Sequence, residues 1–141
     1  MIKLKDLLLE NETPNIFVPR KIEDRIERLI KLYIRNGNKG NLDLSDLKLT
    51  KLPALLKDID VGGSFYCGNN NLTSLENAPK TVDGNFSSSV NKLISLEGAP
   101  KTVGEDFMCR FNPVKFTEKD IRAVCDVKGD VYLWLSLKTY Y

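Results

Sequence analysis

Apolar residues along the chain follow two patterns, one helical and one strand-like, and the second recurs. Ile22, Ile26, Leu29, Ile30 and Tyr33 fall at i, i+4, i+7, i+8 and i+11, the stripe of an amphipathic helix. The stripe begins after Pro19 and ends near Asn36-Gly37, a good helix stop. From Leu42 onward the pattern changes to short alternations. The pairs Leu42/Leu44, Phe65/Cys67, Phe86/Ser88, Phe107/Cys109 and Val131/Leu133 each place two side chains on one side of an extended strand. Their first members, taken as anchors, stand 23, 21, 21 and 24 residues apart.

That spacing is an internal repeat. Asn71 to Val82 reads NLTSLENAPKTV and Lys92 to Val103 reads KLISLEGAPKTV, with nine of twelve positions identical and the copies starting 21 residues apart. Five residues after the anchors come Leu47, Asn70, Asn91 and Asn112; seven after come Leu49, Leu72, Leu93 and Val114. Leu52, Leu75 and Leu96 follow, then Leu55, Ala78 and Ala99, then Pro79 and Pro100. Val61, Val82 and Val103 stand four before the next anchor, with Gly62, Gly63, Gly84 and Gly104 close by for a tight corner. One strand cannot bury its apolar edge alone, whereas stacked copies build a continuous interior. Proline stops a long helix on the return leg, so that leg is expected to be loops and short turns.

In short form the repeat is F-x-C-x-x-N-x-L, which fits the leucine-rich-repeat core L-x-L-x-x-N-x-L. The expected fold is an α+β repeat protein: a leucine-rich-repeat-like solenoid with a parallel sheet on its concave side and an irregular convex side. An N-terminal amphipathic helix and a C-terminal helix-strand unit cap it. A single domain spans 1–141, divided into a helical cap at 1–40, repeats at 41–114 and a C-terminal cap at 115–141. In the last of these, Thr117 and Asp120 resemble a capping arrangement. They open a short helix through Ile121, Val124 and Cys125, and the strand GDVYLWLSL follows.

The units VGGSFYCGNNNLTSLENAPKTV and GNFSSSVNKLISLEGAPKTV resemble those of short leucine-rich-repeat-like proteins encoded by tailed bacteriophages. The segment NIFVPRKIEDRIERLIKLYIRNGNKGNLDLS is similar to the lead-in those proteins often carry, so the resemblance covers nearly the whole chain. It implies a phage-encoded protein at work in the host cytoplasm, and it brings no catalytic residues to carry over. The chain departs from the pattern at Leu47, where Asn is expected. It departs again in the last unit, where TEKDIRAVC replaces the LTSLEGAP pattern.

Composition narrows the chemistry. The chain has 141 residues, 42% hydrophobic and 28% charged, as in ordinary globular proteins. Its apolar runs are too short to cross a bilayer. The start MIKLKDLLLEN has no apolar core ending in a small-residue cleavage site, so a cytoplasmic location and no membrane association are expected. The sequence contains no histidine, which excludes histidine-based acid-base catalysis, Ser-His and Cys-His nucleophile pairs and histidine-ligated metals. Its three cysteines include no CxxC. Cys67 and Cys109 occupy one inward slot two repeats apart, ~9.6 Å from each other at the strand spacing and beyond the ~7 Å reach of a disulfide. They and Cys125 read as packing residues. No enzyme activity, metal or cofactor is expected.

Among polar candidates, Asn70, Asn91 and Asn112 read as a structural ladder that satisfies turn backbone, and Phe65, Phe86 and Phe107 as an inward aromatic column. The acidic pairs Asp58/Asp60 and Glu105/Asp106 read as polar corners. The outward side of the strands is the expected binding face for a protein partner, a host protein if the chain is phage-encoded. Its first and third rows are small or acidic (Asn41, Asp43, Ser45; Asn85, Ser87, Ser89), with Ser64 and Gly68 flanking Tyr66 in the second. Tyr66, Met108, Arg110, Tyr132 and Trp134 supply its recognition groups, with Asp106 and Asp130 beside them and Phe111 near the edge. The C-terminal LKTYY can cover part of it. The alternative is a nucleic-acid or anionic-surface site on the helix stripe Lys21, Arg25, Arg28 and Arg35. Against it, Glu23, Asp24 and Glu27 interleave, Glu27 and Lys31 form an i,i+4 pair, and the net charge is only +2. Nucleic acid is therefore the disfavoured partner, and the oligomeric state is left open.

Overall fold

The computed structural model describes residues 22–133. Lys21, Trp134 and the LKTYY tail, all assigned roles above, lie outside the described residues. Helix α1 (Ile22–Arg35) buries Ile26 and Ile30 and packs Leu29 and Tyr33 against the core. Ile22 is 45% exposed, so the buried stripe starts one turn later than the periodicity suggests. The helix ends in a Schellman arrangement: Gly37 has φ +85°, its N–H donates to Ile34 O (3.0 Å), and the Asn38 N–H donates to Tyr33 O (3.1 Å). Glycine suits this position because its backbone enters the left-handed region without a Cβ clash.

From there the chain alternates between two parallel sheets. Strands β1 (Leu42–Asp43), β3 (Phe65–Tyr66), β5 (Phe86–Ser87), β7 (Phe107–Cys109) and β9 (Val131–Leu133) pair in that order. Their register is Leu42↔Phe65↔Phe86↔Phe107↔Val131, so the anchors read from the sequence are the residues that pair. Strands β2 (Asp60–Val61), β4 (Thr81–Val82), β6 (Thr102–Val103) and β8 (Asp126–Val127) form the second sheet, with Val61↔Val82↔Val103↔Val127 in register.

This second sheet corrects the expectation of an irregular return leg. Each return segment repeats the conformation of the one before it, so backbone groups find partners one repeat away. The Lys80 N–H donates to Ile59 O and the Lys101 N–H to Lys80 O, both at 2.8 Å. Pro79 and Pro100 sit two residues before these strands, where their missing N–H is not required. The remaining return geometry is turns and one 3-10 turn, Ala54–Leu56.

Between the sheets lies the core. Phe65 and Phe86 stack with ring centroids 5.8 Å apart, and Phe86 and Phe107 meet at 4.8 Å, tilted by 42°. Leu72, Leu75, Leu93, Val61, Val82 and Val103 fill the space around the rings. Four residues after each of the first four anchors the backbone is left-handed: Asp46 (φ +60°), Asn69 (+52°), Val90 (+58°) and Phe111 (+56°). Asp and Asn tolerate this, whereas a residue such as Val or Phe is disfavoured there by ~1–2 kcal/mol. The repeat's turn therefore imposes its geometry whatever side chain occupies the slot.

Past the last regular repeat, α2 (Glu118–Val124) opens with a capping box: Thr117 Oγ1 accepts from the Asp120 N–H (3.1 Å), and Asp120 Oδ2 accepts from the Thr117 N–H (2.9 Å). Ile121 and Cys125 are buried, but Val124 is 47% exposed, so the apolar face is narrower than expected. No helix among the described residues is long and apolar enough to cross a membrane.

Candidate functional site

Alternation along the five-stranded sheet turns the anchors inward and the residues after them outward. Strand register then places Asp43, Tyr66, Ser87, Met108 and Tyr132 side by side in one row. Tyr66, Ser87, Met108 and Tyr132 are half-buried. Asp43 is only 6% exposed, and its carboxylate accepts from the Ser45 N–H at 2.8 Å. The acidic end of the row is thus tied into the backbone and is not offered to a partner. At the other end, the Arg110 guanidinium carbon lies 5.3 Å from the Tyr132 ring centroid, within cation-π range. Arg110 Nε is buried without a hydrogen-bond partner, while the Arg110 N–H is held by Ser89 Oγ at 3.0 Å. The face brings together Tyr66, Met108, Arg110 and Tyr132; Trp134 is not among the described residues.

A second row on the same outward side, Asn41, Ser64, Asn85, Asp106 and Asp130, stands one residue before each anchor and is bonded from repeat to repeat. Asn41 Oδ1 accepts from the Ser64 N–H (2.7 Å), Ser64 Oγ from the Asn85 N–H (2.9 Å), Asn85 Oδ1 from the Asp106 N–H (3.0 Å) and Asp106 Oδ1 from the Asp130 N–H (2.8 Å). Each of the first four side chains serves the same slot of the next repeat; Ser64 is only 8% exposed, whereas Asn41 and Asp130 are exposed. The signal was present in the sequence, since all five residues are short hydrogen-bond acceptors at one repeat position. These residues staple the corners.

Asn70, Asn91 and Asn112 lie on the inner side. Asn70 Oδ1 accepts from the Leu47 and Leu49 amides, and its Nδ2 donates to Leu44 O (2.9 Å) and Cys67 O (3.0 Å). Asn91 accepts from the Leu72 N–H, and Asn112 from the Leu93 N–H. Leu47, at this slot in the first repeat, has no side-chain amide, and its backbone N–H is satisfied by Asn70 of the next repeat.

On α1, Arg25 is half-buried, whereas Arg28 and Arg35 are exposed. Arg28 shares a hollow of about 310 Å³ with Asp24, Glu27 and Lys31, two carboxylates against two cations. Of the stripe, Arg28 is the member that lines this hollow, where it has carboxylates for neighbours. Burial pushes the Cys67 and Cys109 thiols up, and pushes Cys125 up to about 11, with the Asp126 carboxylate adding to the effect. None is an activated thiolate. All three cysteines are free and buried. Among the described residues no group of three or more His, Cys, Asp or Glu is placed to hold a metal ion. Comparison with protein-family models, with curated proteins and with solved structures gives no match.

Proposed function

We propose that the chain is a non-catalytic protein-binding module of the leucine-rich-repeat type, winding as a small solenoid and holding its partner on the open, concave face of the five-stranded sheet. The solenoid reading is supported by the way successive repeats each contribute one strand to each sheet. One observation carries the binding reading: the single row that aligns Tyr66, Met108 and Tyr132, with Arg110 stacked on Tyr132. Tyr, Met and Arg are enriched at interfaces, and Tyr and Arg dominate binding hot spots. The strands that carry Tyr66 and Met108 are held on both edges and lose little freedom on association, so modest contacts suffice. The likeness of the repeats to phage-encoded proteins supports a host protein as the partner, met in the host cytoplasm.

Affinity capture from a bacterial lysate followed by mass spectrometry supplies a candidate partner. The test is then its affinity for the wild type against a variant carrying Tyr66→Ala, Met108→Ala and Tyr132→Ala together. We expect binding at least ~100-fold weaker with the melting temperature retained. Equal affinity from the folded variant would remove this face from consideration.

A further inference from the structure

In the four-stranded sheet, consecutive repeats are joined by three recurring series of backbone bonds, of which the first runs through Ile59 O, Lys80 O and Lys101 O to the level of Cys125. The valine carbonyl of each return strand accepts from the next repeat: Val61 O from the Asp83 N–H (2.9 Å), Val82 O from the Gly104 N–H (2.8 Å) and Val103 O from the Lys128 N–H (2.9 Å). Two residues further on, Gly63 O accepts from the Gly84 N–H (2.8 Å), Gly84 O from the Glu105 N–H (3.1 Å) and Glu105 O from the Gly129 N–H (2.8 Å). The last members of these latter two series are Val127 O and Gly129 O, for which no further repeat exists among the described residues. Both are occupied. Arg122 Nη1 donates to Val127 O (2.7 Å) and Nη2 to Gly129 O (2.9 Å), while Nε donates to Glu118 Oε2 (2.8 Å), which steadies the guanidinium.

We propose that Arg122 takes the Val127 and Gly129 carbonyls that a further repeat would bond, and so blocks that part of the C-terminal edge of the four-stranded sheet against strand pairing by a second copy of this chain. An edge strand with unmet carbonyls is a template for another strand. The strand that fits this template is β2 of a second copy, because β4, β6 and β8 already spend their N–H groups on the preceding repeat; its Gly62 N–H would exchange Asn38 O for the new carbonyl. A guanidinium suits the task because it is planar, has several N–H donors and no acceptor, and reaches two carbonyls at once. The segment that delivers it, TEKDIRAVC, is where the repeat pattern breaks. Helix α2 therefore replaces a regular return leg with a short helix that turns Arg122 back onto the edge.

The test uses the full chain and light scattering behind size-exclusion chromatography across a concentration series. Arg122→Met keeps most of the apolar stem and loses both donors. It is expected to stay folded by circular dichroism and to show a molar mass that rises with concentration, to roughly twice the wild type or more. Glu118→Gln, which leaves both carbonyl bonds available, is expected to match the wild type. A folded Arg122→Met of wild-type mass throughout overturns the proposal. So does Glu118→Gln associating as strongly as Arg122→Met, because loosening of α2 would then be the cause. If Arg122→Met does not fold, Arg122→Lys replaces it, since one ammonium cannot span both carbonyls in the same geometry. A smaller gain in mass is then expected, and wild-type mass overturns the proposal.

Discussion

Asn91 and Ser88 stand three residues apart in the same interior, and opposite outcomes are expected from truncating them. The Asn91 side chain donates to Cys67 O (3.0 Å) and Ser88 O (3.1 Å) and accepts from the Leu72 N–H (3.0 Å). Asn91→Ala leaves the Leu72 N–H unmet in a buried turn and removes one of two side-chain donors from Cys67 O and from Ser88 O, which keep Asn70 and Asn112, at a cost of ~1–3 kcal/mol, which a urea midpoint would register. Ser88 is fully buried, and its hydroxyl meets no nitrogen or oxygen partner. Its polar company is the Cys109 thiol, a weak acceptor at best. Ser88→Ala is therefore expected to hold or raise stability, by up to ~1 kcal/mol. A clear loss in the same urea measurement would show that the hydroxyl is properly paired. The Asn slot could be read from the sequence because its spacing is that of the repeat. The orphaned hydroxyl could not, because serine in an inward slot says nothing about what surrounds it.

Among the elements, α2 has the clearest local logic and a dependence on pH. The Asp120 carboxyl lies below its ordinary value of 3.8, chiefly because the Thr117 backbone N–H donates to it, with the Thr117 side chain helping. A carboxyl depressed in the folded state contributes stability above its unfolded pKa, and that contribution is lost as pH falls through the folded value. Acidification is therefore expected to loosen α2 and to speed amide exchange over 118–124 relative to β5, and Asp120→Asn should flatten that dependence. Exchange in α2 that is as insensitive to acid as in β5 would contradict it. Thr117 and Asp120 could be read as a cap from three-residue spacing alone. The return strands could not be read as strands, since Thr81–Val82 and Thr102–Val103 carry one buried residue each and so show no alternating inward pair. What makes them strands is the neighbouring repeat that pairs with them.

For the whole molecule, stacking joins the repeats into one interior. Phe86 lies between Phe65 and Phe107, and all three are fully buried. Phe86→Ala should cost ~3–5 kcal/mol through lost burial and the cavity left between the two flanking rings. Because that cavity touches repeats on both sides, unfolding followed by circular dichroism and by aromatic fluorescence is expected to shift together and stay coincident. Separate transitions would mean that the repeats melt independently.

The sequence by itself determined the repeat length, the inward anchors and the position of the helix before them. Those features depend on periodicity, and periodicity is visible in one dimension. Tertiary structure alone decided that the return legs form a second sheet and that Arg122 covers the Val127 and Gly129 carbonyls. Each of these depends on which backbone group is left without a partner. That is settled only when segments twenty-odd residues apart lie side by side and every buried N–H and C=O must find something to bond.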